Sequence, residues 1–357
     1  MRPIGFAHQT MFSDLIQHCL DAEFDETFPE NGSFTRVKAA SGQQFWYYKG
    51  YHRSTTSGEK RYSKYVGPVG DLAITERVER FQRIKTHYKE RHSLVSSLTA
   101  AGLPAPPAMM GDMVDALARA GLFRLHGILV GTAAFQTYAG LLGIRIGGAS
   151  LMTSDIDFAQ FHSVSVFVDD TLPPILDALQ AVDPSLREVP SLADPRKATT
   201  FSTATGFKIE FLTPNRSKDD YASEPAAMPA LGGAAAQPLR DLDFLIHQPV
   251  RSVLLHRGGI AVLVPSPERF AVHKLILSEL RRKHPDQASK ARKDLLQAQI
   301  LIKALAQTSS KYDLGLVYHE ALERGPKWRE LLGQSVAKLP QDHVVKLKEA
   351  LQLYQDA

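Results

Sequence analysis

Residues 151–160 read LMTSDIDFAQ, and inside this apolar run Asp155 and Asp157 stand two positions apart. Side chains on a β-strand alternate with period two, so the pair points to one face while Ile156 and Phe158 point to the other. Two anions held side by side repel each other and lose hydration. A chain that keeps them needs a cation to make the arrangement tolerable.

The pattern around this strand alternates. A helix over 111–120 precedes a strand in LFRLHGILVG. The helix TAAFQTYAGLLG follows, then the strand DIDFAQF, the short VSVFVDD, and the helix TLPPILDALQAV opened by proline. KATTFSTATGFKIEFLTP reads as a hairpin turning at TATG, and VRSVLLHRGGIAVLVPSP as a second around RGG. Residues 215–240, rich in Ala, Gly and Pro, read as a loop, and the chain from Glu268 on reads as helical and at first basic. Upstream, an amphipathic helix is expected over 10–29. The aromatic and β-branched runs of SFTRVKAASGQQFWYYKGYHRSTTSGEKRYSKYVGPVG then predict a three-stranded antiparallel meander. One long charged helix is expected over 71–101, and LPAPPAMMGD at 103–112 marks a boundary. The fold class is α+β: a mixed sheet flanked by helices, with a small N-terminal antiparallel sheet plus long helix and a helical C-terminal region. Three units are expected, over 1–103, 104–265 and 266–357.

A content of 44% hydrophobic and 22% charged residues is that of a soluble globular chain. The single cysteine, Cys19, excludes an intramolecular disulfide and a cysteine-rich zinc module, and a reducing cytoplasm is the expected compartment. The opening MRPIGFAHQTMF lacks a basic-then-apolar signal pattern. The apolar stretch 127–144 is interrupted by Gln136 and Thr137 and reads as a buried strand and helix, so no membrane partner is expected. A net charge of +4 permits an anionic partner without demanding one.

Two further features join the aspartates. Gly131 and Thr132 stand between a strand and a helix, where backbone N–H groups and the Thr132 hydroxyl can receive phosphate oxygens. Glu210 lies in GFKIEFLTP between Ile209 and Phe211. Each has a bland reading when taken singly: tight packing at a turn, a solvated Asp-x-Asp turn, the outward face of a strand. Together they describe one site, where carboxylates on adjacent strands share Mg²⁺ or Mn²⁺ beside a phosphate cradle. Two such ions can clamp the entering and leaving oxygens of a displacement at phosphorus.

At these residues the sequence resembles the nucleotidyltransferase superfamily, the DNA polymerase β-like group, and more narrowly a little-characterised bacterial nucleotidyltransferase family. The resembling stretches are LVGTAAFQTYAGLLG, TSDIDFAQ, FKIEFLTP, LDFLIHQPVRSVLLHRGGIAVLVPSPERFAVHKLI and KARKDLLQAQILI. The resemblance implies the nucleotidyltransferase fold and a role for each residue. Asp155 and Asp157 would hold two Mg²⁺ (or Mn²⁺) ions, and Glu210 would take the third position and act as base on the acceptor hydroxyl. Gly131 and Thr132 would touch the β- and γ-phosphates of an NTP such as ATP. Lys274 would contact triphosphate. Lys290 and Asp294 match a basic-acidic motif, also counted as nucleotide-binding, in kin that include toxin components of toxin–antitoxin pairs. Thr132 stands where Ser or Gly is usual, and Glu210 where Asp is common. IRIGGASLMTS reads as an inserted loop beside the site.

The implied reaction moves a nucleoside monophosphate from an NTP to an acceptor hydroxyl on a protein, an RNA or a small molecule, and releases pyrophosphate. A non-catalytic nucleotide or RNA binder on the same scaffold is the alternative. A sugar-nucleotide glycosyltransferase reading of DID explains neither Gly131–Thr132 nor Glu210. The aromatics Phe45, Trp46, Tyr47, Tyr48, Tyr51, Tyr62 and Tyr65, interleaved with Lys49, Arg53, Lys60, Arg61 and Lys64, suit either cross-strand packing or an RNA contact through the 42–66 hairpin. His126 and His273 read as structural, and Asp169 and Asp170 as caps of the helix that follows.

Overall fold

The computed structural model describes residues 3–22, 32–38, 44–54, 58–148, 151, 153–167, 170–215 and 224–357. Helix α1 (Phe6–Ala22) is followed by a meander of β1 (Ser33–Lys38), β2 (Gln44–Ser54) and β3 (Gly58–Pro68), and by the long α2 (Leu72–Ala100). Residues 23–29 of the expected first helix lie outside the described residues. Then come α3 (Ala108–Arg119), β4 (Ile128–Val130), α4 (Gly131–Leu141), β5 (Asp155–Ala159), α5 (His162–Phe167) and α6 (Ile175–Gln180). Strands β6 (Arg187–Pro190), β7 (Ala198–Ser202), β8 (Lys208–Pro214), β9 (Ala226–Ala227) and β10 (Ala235–Leu239) lead to α7 (Leu242–Ile246). The hairpin β11 (Val250–Leu254) and β12 (Ile260–Val264) precedes α8 (Pro267–Arg282), α9 (Ala288–Leu305), α10 (Lys311–Glu323), α11 (Pro326–Val336) and α12 (Gln341–Gln355).

The central sheet runs β4-β5-β8-β10-β9, with β7 also on β8 and β6 on β7. It is mixed: β5, β8 and β10 are parallel, while β4 and β7 run antiparallel to their neighbours. Period-two alternation sorts its faces. Ile156, Phe158, Ile209, Phe211 and Phe201 are buried on one side. There the rings of Phe158 and Phe211 stack at 5.8 Å between centroids, and Phe201 meets Phe211 edge-on. Each such side chain contributes roughly 1.5–3 kcal/mol by leaving water. The opposite side is polar. The apolar core continues from Ile4 to Ala350 without a break.

Helix α4 joins the sheet to both flanks. Phe12 of α1 packs onto Gly140, where a Cβ would lie 2.2 Å from the ring. The Tyr138 hydroxyl donates to the Pro265 carbonyl at 2.8 Å, just before α8. Helix α8 starts cleanly because the Ser266 side chain accepts from the Arg269 N–H and Pro267 occupies the first turn. The Arg269 guanidinium then forks onto Glu320 of α10 at 3.1 and 2.7 Å.

Three expectations change and one is sharpened. The strand expected in LFRLHGILVG is only Ile128–Val130, because Gly121 and His126 take left-handed backbone and turn the chain. The loop expected over 215–240 contains β10, which pairs in parallel with β8; residues 216–223 lie outside the description. VSVFVDD, read only as a short segment, begins as helix α5. Asp170 does not cap α6. It binds Arg124 at 2.5 Å and the Thr171 N–H, while the helix starts after Pro174. Asp169 lies outside the described residues.

In the meander, Trp46 and Tyr48 are buried. The Trp46 indole donates to Thr75 at 3.1 Å, and Tyr48 packs against Phe34 and Phe81. These two rings therefore dock the sheet on α2, and the side chains at 51, 62 and 65 lie outside what the structure describes. No helix among the described residues is long and apolar enough to cross a membrane.

Candidate active site

Strand register brings the acidic residues together. Val130 pairs with Asp157, and Asp157 with Glu210 on the next strand; Asp155 pairs with Lys208. Residues directly opposite in a ladder share a face, so Asp155, Asp157, Glu210 and Lys208 all stand on the polar side of the sheet. The residue in register with Asp157 on the other side is Val130, where β4 ends and α4 begins.

That junction requires glycine. Gly131 has φ of +66°, and a Cβ there would lie 2.5 Å from Asp157 Oδ2. The Asp157 carboxylate thus rests against the backbone of the turn. No described side chain caps α4. Its first N–H groups are therefore left for another acceptor at the positive end of the helix. Gly131→Ala should push the Asp157 carboxylate aside. We expect at least a tenfold loss in any reaction that uses it, with only about 1 kcal/mol of lost stability. Unchanged turnover in this variant would show that the close approach has no catalytic consequence.

The electrostatics match crowded anions. The Asp157 carboxyl is pushed up to about 7, first by burial and then by the charges of Asp155 and Glu210, with Lys274 and Arg281 pulling the other way. Asp155 accepts from the Thr153 hydroxyl. Among the described residues, however, no three acidic, histidine or cysteine side chains are gathered closely enough to enclose a metal ion by themselves. The three carboxylates share a face of the sheet, but the expected convergence of all three within reach of one ion is not seen among the described residues.

The cations come from α8 and α9. Asp294 is 0% exposed and accepts from Lys274 Nζ at 2.6 Å and from Arg281 at 2.5 Å. Lys274 is itself buried and lies over the Phe270 ring. Lys293 donates to the Thr132 hydroxyl at 3.1 Å. Its ammonium is held below its ordinary range by burial and then by the charge of Lys274, while Asp155 raises it. His273 is buried and lowered to about 3, chiefly by burial and then by Lys274, which keeps it neutral, in keeping with a structural role.

Of the residues singled out from sequence, Gly131, Thr132, Asp155, Asp157, Glu210 and Lys274 are brought to this one region. Two are placed differently. Asp294 has no surface to offer a nucleotide, because its oxygens are occupied by Lys274 and Arg281; it anchors those cations. Lys290 is exposed one turn before Lys293 on the same helix, and no contact among the described residues ties it to the carboxylates. Two cations within the basic stretches LRRKH and KARKD were not singled out individually. Arg281 lies seven positions after Lys274, two turns along the same helical face, a spacing readable from sequence. Lys293 sits beside Asp294 in KARKD, but only the packing of α9 shows that it, not Lys290, reaches Thr132.

A family model described as Nucleotidyltransferase matches residues 108–323. No curated protein matches the chain. Among solved structures, the crystal structure of an antigenic nucleotidyltransferase-like protein from Paracoccidioides brasiliensis is similar to it at 14% identity. The match covers 66% of this chain and 95% of that one with a TM-score of 0.30.

Proposed function

The chain belongs to the nucleotidyltransferase family, and from that premise we propose that it moves a nucleoside monophosphate from an NTP to an acceptor hydroxyl and releases pyrophosphate. The observation that carries this reading is the register of Val130, Asp157 and Glu210 across three strands, which sets two carboxylates beside the uncapped start of α4.

The donor set suits a hard divalent cation: Asp155 and Asp157 offer only oxygen ligands, and burial together with the charges of Asp155 and Glu210 raises the Asp157 carboxyl. Mg²⁺ is commonly held by one or two carboxylates together with substrate phosphates, so a closed protein cage is not required. Asp155 and Asp157 would hold Mg²⁺ or Mn²⁺, which when bound neutralises charge developing at the α-phosphoryl group. The rest of the chemistry falls to the chain's own groups. The first N–H groups of α4 and the Thr132 hydroxyl receive terminal phosphate oxygens. Lys274 and Lys293 add positive charge where pyrophosphate departs. Glu210, on the strand beyond Asp157, takes the proton from the attacking hydroxyl. Lys208, in register with Asp155, adds a cation on the same face.

Incubation with each NTP labelled at the α-phosphorus, Mg²⁺, and either total RNA or host proteins tests the reading. Label entering one macromolecular fraction with stoichiometric pyrophosphate is the expected result. Saturable NTP binding with no turnover on either fraction or on small hydroxyl acceptors would leave the chain a non-catalytic binder.

A further inference from the structure

A cavity opens at the end of β4 away from Gly131. It has a volume of 720 Å³ and lies between the last turn of α1, the end of α3, the Gly121–His126 turn and the β11–β12 hairpin. Leu20, Phe123 and Leu263 give it apolar walls. Its charged lining is of one sign: Arg119, Arg124 and Arg251 contribute, and none of the described lining residues is acidic. Arg119 and Arg124 are engaged by Asp115 and Asp170 in exposed pairs. Such pairs are weak and easily redirected. Arg251 and His126 are exposed and have no ion pair among the described residues.

The backbone at the mouth is also unusual. Of the four described non-glycine residues with left-handed φ, His126 lines this cavity and Gln248 precedes Pro249, which lines it too. Conformations of that kind concentrate at binding and switch positions. His126 precedes β4 and Gly131 follows it, and no residue of the carboxylate site lines this cavity.

We propose that this cavity binds a small amphipathic anion: an apolar body seated against Leu20, Phe123 and Leu263, and a carboxylate or phosphate head held by Arg251 and Arg124. The volume falls within the roughly 300–1,000 Å³ of pockets that hold such molecules. A guanidinium matches either head group through paired N–H donors. The site does not depend on the transfer reaction, and ligand seated there meets the turn that feeds β4.

Calorimetric titration of the full chain with decanoate, decyl phosphate and decanol tests the proposal. One decanoate or decyl phosphate per chain should bind saturably, the tighter of the two identifying the head group, and decanol should bind at least tenfold more weakly. Arg251→Glu, at an exposed position, should weaken the anion about tenfold or more. Ala118→Trp, which fills the cavity from the half-buried face of α3, should abolish binding with the melting temperature little changed. Saturating ATP should not displace the ligand. Absence of saturable binding, equal affinity for decanol, indifference to both substitutions, or competitive displacement by ATP would each overturn it.

Discussion

Asp157→Asn is expected to abolish nucleotide transfer, by about a thousandfold or more, while leaving the protein at least as stable as before. The two halves of this result have one cause. Asp157 is pushed from 3.8 to about 7 by burial and by Asp155 and Glu210, so the folded state disfavours its charge. The unfolded chain ionises this carboxyl at its ordinary value. Stability from the group is therefore complete below about pH 3.8 and is lost as pH rises toward 7. An amide of the same shape never ionises and escapes that loss, so the variant should resist urea better above neutrality. It also removes one of the two oxygen pairs available to a divalent cation. Urea midpoints at acid and neutral pH, measured alongside transfer, check both halves. An active variant would sink the assignment; an inactive but destabilised one would show that Asp157 supports the fold instead.

Asp294→Asn carries the second large effect, on stability first and activity with it. The residue is fully buried and takes both Lys274 and Arg281. Removing its charge leaves buried Lys274 without a counter-ion, which typically costs about 3–5 kcal/mol. Transfer should fall as well, because Lys274 and Arg281 lose the group that positions them beside the carboxylates. The double variant Lys274→Met with Asp294→Leu separates the two consequences. Apolar side chains of similar size commonly restore most of the stability of a buried pair. Transfer should stay low, since the cation proposed to face the departing phosphates is gone. Urea midpoints of the three proteins, with initial rates at saturating NTP, provide the check. A single variant as stable as the parent would mean that the buried pair is not what orders α8 against α9.

The acidic face was legible from the sequence because it obeys the simplest rule available. Period two places Asp155 and Asp157 together and leaves Ile156 and Phe158 for the core, and the same rule turns Glu210 away from Ile209 and Phe211. The long α2 and the four hairpin pairings were legible from charge periodicity and from turn residues. What escaped was tertiary. AAQPL has the composition of a loop, and only its parallel pairing with β8 makes it strand β10. LFRLH has the apolarity of a strand, but Gly121 and His126 bend it into a turn. In KARKD, the resemblance points to Lys290 and Asp294. Placing α9 against α8 buries Asp294 under two cations and aims Lys293, not Lys290, at Thr132. Convergence of Asp155, Asp157 and Glu210 within reach of one ion was expected too, and the described residues stop short of it.

The most direct measurement is a crystal structure of the full chain with Mn²⁺ and a non-hydrolysable NTP. The account predicts anomalous density bridging Asp155 and Asp157, triphosphate oxygens on the N–H groups at the start of α4, and Lys293 drawn from Thr132 onto phosphate. Nucleotide seated on another surface, or manganese bound without either aspartate, would contradict it.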